Sequence, residues 1–460
     1  MAVVIFSCGN MFNGFKQKIK KHFTKKWQIY LWSLAFVVVL LIGIWIGYFY
    51  AQETLSPVPT SSEKPKDEYI SFLFEVYDKI QENYWNKLTD EQLGGLFKSG
   101  IETIAGKPQN IEIKTKQDFE KMLEDIFKIV KPDKKKLFTT QLASIVLTSL
   151  PPKNRSTLYT VQKKEELRNM VQNINPENDL YQNLGISKDA SKEELEKAYK
   201  EKVAELEEKT EESEEAKKDL EKVKYSYEVL KDENKKQRYD KAGIEPTILS
   251  KLVRPNILHL YIKRISPTTF NELQEETQKY VNKPGLDTLI LDLRSNIGGS
   301  IDLLPYLLGP FIGNEQYAYE FLHQGEKTPY KTKVGWLPSL YQYKKVIILT
   351  DNKTQSSAEV MAAVLKKYNV GILVGTTTRG WGTIETVLDL NQTLEGEKYS
   401  LLLVHSLTLR DDNQIIEGNG VEPLININNS NWKEELRKYF DSEEIIKAVE
   451  EIWNTPPGTI

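Results

Sequence analysis

The chain has 460 residues, more than one hydrophobic core ordinarily serves, and reads as two to four units. Its 62 Lys and Arg against 65 Asp and Glu leave a net charge of −3, without the basic excess that a nucleic-acid-binding face carries. The only cysteine, Cys8, lies before the first long apolar run, so everything after it is held by packing and not by disulfides.

Lys16, Lys18, Lys20, Lys21, Lys25 and Lys26 lead into Leu31–Tyr50, an uncharged apolar run. At about 1.5 Å per residue such a run crosses a hydrocarbon core of roughly 30 Å, which predicts a transmembrane helix. Trp27, Tyr30 and Trp32 at one end and Trp45, Tyr48 and Tyr50 at the other fit the two aromatic belts. The lysines precede the run and the following flank is mixed. The positive-inside rule therefore places residues 1–30 in the cytoplasm and the large remainder on the outer side of the cell membrane. Gly47-Tyr-Phe-Tyr-Ala51 puts bulky aromatics where signal-peptide cleavage needs small residues, so the helix at 31–50 is expected to remain as an anchor.

Residues 51–67, rich in Pro, Ser and charge, read as a linker. A helical region follows over 68–174: Ile70, Phe72, Leu73, Val76 and Ile80 recur at helical spacing, as do Met122, Leu123, Ile126 and Phe127. Residues 175–246 contain Tyr181-Gln-Asn-Leu184-Gly185, Asp189-Ala-Ser191, Lys197-Ala198-Tyr199, Ser226-Tyr227-Glu228-Val229-Leu230-Lys-Asp232 and Arg238-Tyr239-Asp240-Lys-Ala-Gly243. In order and spacing these phrases resemble a J-domain, which implies an all-α module around a helical hairpin. The J-domain's His-Pro-Asp loop, through which it stimulates a heat-shock chaperone, falls at Glu207-Glu208-Lys209, so such a chaperone is not an expected partner.

From residue 247 to 430 the pattern turns to α/β. Strands are predicted at Asn256–Ile262, Thr288–Arg294, Val346–Thr350, Gly371–Gly375 and Ser400–Leu407, with helices at Pro267–Asn282 and Ser357–Tyr368. The short apolar strands read as buried on both faces. Residues 431–460 form a C-terminal helical segment. Ser356-x-x-Glu359 before an apolar run is a capping-box signature. Glycines at Gly298 and Gly299, at a strand end, let backbone N–H groups approach a ligand.

Three elements of this region resemble the carboxyl-terminal processing (tail-specific) serine peptidases: Asp292-Leu-Arg-Ser-Asn296-Ile-Gly298-Gly299, Thr354-Gln-Ser356-Ser-Ala-Glu359 through Gly380-Trp381-Gly382-Thr-Ile-Glu385, and Glu417-Gly418-Asn-Gly420-Val-Glu422-Pro423. The resemblance implies a crotonase-like (ClpP/crotonase) core acting on polypeptides without a cofactor or metal. It further implies Ser356 as nucleophile, with the N–H of Gly298 or Gly299 and that of Ser357 as oxyanion hole. Trp381 then stands at the general-base lysine and Glu385 at the glutamine that positions it. The family's PDZ domain has the J-like module in its place.

An indole N–H donates and accepts nothing, so Trp381 cannot take a serine proton. Loss of one member of a cooperating catalytic set costs on the order of 10⁴ to 10⁶ in turnover. Three readings follow: a family member with weak or absent hydrolysis, an active peptidase with Glu385, His405 or His259 as substitute base, and an interaction scaffold working through the J-like module.

Overall fold

The computed structural model describes residues 67–108, 110–209, 213–410 and 413–459. The predicted membrane-spanning helix, its basic flank and the linker up to residue 66 lie outside them. Among the described residues no helix is long and apolar enough to cross a membrane.

The first region holds α1 (Glu68–Asn83), α2 (Asp90–Ala105), α3 (Lys116–Ile129) and α4 (Lys135–Ser149), then β1 (Thr157–Thr160) and α5 (Val161–Gln172). Asp67, Thr89 and Thr115 cap the first three helices by accepting from first-turn N–H groups that have no partner inside the helix. The stripe predicted on α1 is buried, and Phe119 of α3 packs 4.6 Å from Tyr77 and 4.7 Å from Phe97. The start of α1, the end of α3 and the start of α4 meet at one tip: Tyr69 stacks on Phe127 at 6.0 Å, and Lys135 pairs with Asp67 at 2.7 Å.

Four helices follow: α6 (Leu180–Leu184), α7 (Lys192–Glu207), α8 (Glu214–Leu230) and α9 (Glu233–Ala242). They enclose a small core of Leu180, Leu184, Leu195, Val223 and Leu230, and Tyr199 of α7 stacks on Tyr227 of α8 at 3.9 Å. Where this module leaves and rejoins the chain its two ends are fastened side by side. Ile174 bridges Ile244, the Glu245 N–H donates to the Asn173 carbonyl at 3.0 Å, and Asn173 Nδ2 donates to the Glu245 carbonyl at 2.8 Å.

The remainder comprises β2 (Ile248–Arg254), β3 (Ile257–Ile262), α10 (Thr269–Gln278), β4 (Thr288–Asp292), α11 (Leu304–Ile312), β5 (Tyr317–His323), β6 (Glu326–Lys331), β7 (Lys345–Thr350), α12 (Ser357–Lys367), β8 (Ile372–Gly375), β9 (Thr383–Asp389), β10 (Tyr399–Leu409), β11 (Ile425–Asn426), α13 (Trp432–Arg437) and α14 (Glu443–Asn454). The five core strands and two helices expected from the sequence are present within a few residues. β1, β2, β9 and the β5–β6 hairpin were not anticipated.

One sheet has the order β11-β8-β7-β4-β3-β2 and is parallel except for β2. Residues of α10, α11 and α12 bury one of its faces, and those of α13 and α14 the other, which is why its central strands are apolar throughout. The second sheet runs β1-β10-β5-β6, with β9 paired to β10. Leu401, Leu403, Val404 and Leu407 of β10 share the core of α1–α4, so the N-terminal helices are packed onto a sheet. The module of α6–α9 docks on α10 through three ion pairs: Asp232 to Lys279 at 2.9 Å, Lys235 to Glu276 at 2.8 Å and Arg238 to Glu275 at 3.0 Å. Positions 232, 235 and 238 lie three apart and therefore share one helix face.

Candidate active site

The chain leaves the C-terminal ends of β4, β7 and β8 into three adjacent loops, where open parallel sheets present their ligand sites. The β7 loop carries Ser356 as N-cap of α12. Its backbone angles, φ 58° and ψ −133°, are strained for a residue with a side chain, by about 1–3 kcal/mol. The Ser356 N–H donates to the Trp381 carbonyl at 3.1 Å and to Glu359 Oε2 at 2.9 Å, and these bonds hold the turn. The glutamate half of the predicted capping box is present, and the Glu359 N–H donates to the Ser356 backbone carbonyl at 2.8 Å.

Glu359 does more than cap. It is fully buried, and besides Ser356 its carboxylate accepts from Thr378 Oγ1, from the Gly380 N–H at 2.7 Å and from the Trp381 N–H at 2.7 Å. Burial raises this carboxyl's pKa against the pull of the four donors. One side chain thus pins the serine turn to the loop that carries residue 381.

On the β4 side, Asn296 organises the glycines. Its Nδ2 donates to the Ile262 carbonyl at 2.8 Å, and its Oδ1 accepts from the Gly298 N–H at 2.8 Å. Gly298 (φ 81°) abuts the serine so closely that a Cβ there would lie 2.7 Å from Ser356 Cβ, which only glycine avoids. Of the three amides assigned to an oxyanion hole, Gly298's is therefore engaged within its own loop. Those of Gly299 and Ser357 have no acceptor among the described residues.

Trp381 is half-buried and fixed at both ends. Its indole Nε1 donates to Glu385 Oε1 at 2.9 Å, while Thr383 Oγ1 donates to the same oxygen. Burial raises the Glu385 carboxyl's pKa. The guanidinium of Arg155 lies 3.7 Å from the ring centroid, and that of Arg379 lies at 5.3 Å. Arg155 is ion-paired with Glu417 at 2.8 Å, and Glu417 also accepts from the Gly382 N–H at 2.8 Å. Trp381 thereby links the serine to Glu385, one through its carbonyl and the other through its ring.

The two histidines have partners of their own. His259, on β3, pairs with Asp292 Oδ2 at 3.0 Å and lies beside Arg294, Glu451 and Ile452 on the face covered by α14, opposite the face that carries α12. His259 and Arg294 hold the Asp292 carboxyl below its ordinary range despite burial. His405 is the extra residue of a bulge in β10. Its ring stacks on His323 at 4.2 Å and its Nδ1 faces Ser406 Oγ at 2.8 Å. Burial and the neighbouring His323 lower its pKa. Among the described residues neither histidine is hydrogen-bonded to Ser356 or Trp381.

Residues 256–427 match the family model described as peptidase family S41, and residues 179–240 match the DnaJ domain. The core is a peptidase family S41 domain. A carboxy-terminal processing protease CtpA of Bacillus subtilis is 27% identical over 203 residues, 44% of this chain and 41% of its own. A carboxy-terminal-processing protease of Bartonella bacilliformis is 27% identical over 177 residues, 38% of this chain and 39% of its own. The matches thus span about two fifths of these relatives. Among solved structures, a photosystem II D1 C-terminal processing protease has 13% identity and a TM-score of 0.45, covering 79% of this chain and 93% of its own.

The sequence had marked Ser356, Gly298, Gly299, Ser357, Trp381 and Glu385, and these lie around one set of loops. It had not marked Arg155, Asn296, Thr378, Arg379 or Glu417 as parts of the site. Asn296 and Glu417 sit inside the matched phrases and could have been found there. Arg155 comes from the helical region, far away in the chain, and carries no local signal.

Proposed function

We propose that this protein is a membrane-anchored, extracytoplasmic member of the S41 peptidases in which the peptide cleft persists while hydrolysis is weak or absent. One observation supports the reading: Trp381, the residue that the motif spacing aligns with the family's base lysine, has its indole held by Glu385, Arg155 and Arg379. An indole is only a donor and cannot take the serine proton. The amides of Gly299 and Ser357 at the start of α12 still favour a carbonyl oxygen or other negative charge. Polypeptides are the ligands in view, and the α6–α9 module is a docked structural unit in place of a chaperone-recruiting one. The test is turnover of an unfolded protein by the full chain beside its Ser356→Ala variant. Equal, near-background rates are expected; robust cleavage abolished by the substitution overturns the reading.

A second reading, an active peptidase with Glu385 as substitute base, draws on the strained Ser356 backbone and on the raised carboxyl of Glu385. Strain of this kind clusters at working active sites, and a carboxyl raised toward neutrality is a better base than an ordinary one. Serine-dependent cleavage that is lost in Glu385→Gln would favour it.

A further inference from the structure

The tip where α1, α3 and α4 meet has an unusual surface. Ile129, the last residue of α3, is 75% exposed, and Leu137, in the first turn of α4, is 52% exposed. Both are large aliphatic side chains, and Pro132 between them is exposed as well. Beneath them Phe127 and Phe138 pack edge to face at 5.6 Å, so the tip is a firm platform.

Lysines surround these side chains. Lys128, Lys131 and Lys134 are exposed, and Lys131 has no acidic partner among the described residues. Acids share the tip: Asp125 pairs with Lys128 at 2.8 Å, with Glu124 also acting on that lysine, and Asp133 lies 3.9 Å from Lys134, all open to solvent, where such pairs contribute little and exchange readily. Lys135 pairs with Asp67, and Lys136 pairs with Glu395 and Glu397, whose side chains are exposed.

The path of the chain singles out this tip. Asp67, the first described residue, sits in it through its ion pair with Lys135. Only residues 51–66 separate it from the apolar run that ends at Tyr50, and that length of chain spans at most about 60 Å when fully extended. Protruding aliphatic side chains ringed by lysines suit a bilayer interface. The apolar groups enter the headgroup boundary, and the ammonium groups, on flexible stems, meet anionic lipid.

We propose that the tip formed by Lys128–Leu137 is a membrane-contact surface that lays this end of the protein on a bilayer containing anionic lipid. The proposal rests on the membrane-anchored reading. Its test uses the full chain carrying Cys8→Ser and a single cysteine, Ile129→Cys, Leu137→Cys or the remote Asn429→Cys, labelled with a polarity-sensitive fluorophore. The protein is reconstituted into phosphatidylcholine vesicles with or without phosphatidylglycerol. The label at 129 and 137 is expected to shift to the blue and to be quenched by spin-labelled lipid when phosphatidylglycerol is present, and the label at 429 to do neither. Lys128→Gln, Lys131→Gln and Lys134→Gln together should weaken this association by roughly 100-fold, at about one surface-charge contribution per lysine. If the chain resists alkaline extraction from the vesicles while all three labels emit alike, the contact proposal is wrong and the anchor stands. If the chain is extracted and the labels emit alike, both are wrong.

Discussion

Two regions of this molecule depart from the motifs of the families they match, and the departures sit in different surroundings. In the α6–α9 module the loop that would carry His-Pro-Asp reads Glu207-Glu208-Lys209. It lies at the surface, with Lys209 2.9 Å from Glu205 and Glu207 3.8 Å from Lys224. In the S41 core Trp381 stands in a packed site with partners of its own: Glu385, itself bonded by Thr383, at the indole end, and Arg155 and Arg379 against the ring. An exposed side chain can change with little effect on its neighbours, whereas a side chain in a close-packed interior is tied to the groups around it.

The most demanding test of that contrast is to restore the lysine. Trp381→Lys with Glu385→Gln returns the base and its positioning partner. Serine-dependent hydrolysis should rise above background yet stay at least about 10²-fold below a well-formed site, because a side chain placed 1 Å off can cost that much. The readout is cleavage of an unfolded protein with and without Ser356→Ala. Full activity from the double variant would mean that the pocket had never repacked.

Arg155→Ala should destabilise the fold by about 1–3 kcal/mol, through the lost stacking on Trp381 and the orphaned Glu417. In denaturant titrations the loss should be markedly smaller in a Trp381→Ala background, since the two share one interaction. Additive losses would show that the arginine and the indole are neighbours without coupling.

Glu385 supplies a pH signature. Its folded-state pKa is raised from 4.5, so the folded protein holds this proton where the unfolded chain has released it. Stability from this group is therefore fully present below about pH 4.5 and is lost as pH rises through the folded value, by up to about 1.4 kcal/mol per pH unit. Glu385→Gln should remove this contribution, and thermal melts of the two proteins across that window measure the difference in slope.

The smallest effect is expected in the other region. Glu207→Gln, Glu208→Gln and Lys209→Gln together should change stability by less than about 0.5 kcal/mol. A larger loss would mean that this loop, too, has acquired a structural role.

The elements legible in the sequence were those with a strong local signal. Thr288–Asp292, Lys345–Thr350 and Ile372–Gly375 are short apolar runs between turns, and the α7–α8 hairpin carries distinctive phrases. The strands that escaped have weak local signals. β6, Glu326–Lys331, is an exposed edge strand with no apolar alternation, and β2, Ile248–Arg254, is an edge strand with mixed burial. The candidate site divides similarly. Ser356, Gly298 and Glu385 follow from motif spacing, while the contact of Arg155 with Trp381 exists only because the N-terminal helices share a core with β10.

The fastening of Asn173 and Ile174 to Ile244 and Glu245 bears on how such a composite arose. Because the α6–α9 module departs from and returns to its host at a single point, the host keeps its strand order whether the module is present or not, and only one loop has to be closed across the gap. That junction closes on itself, so the sheets beside Ser356 and Trp381 are threaded without any strand from the module.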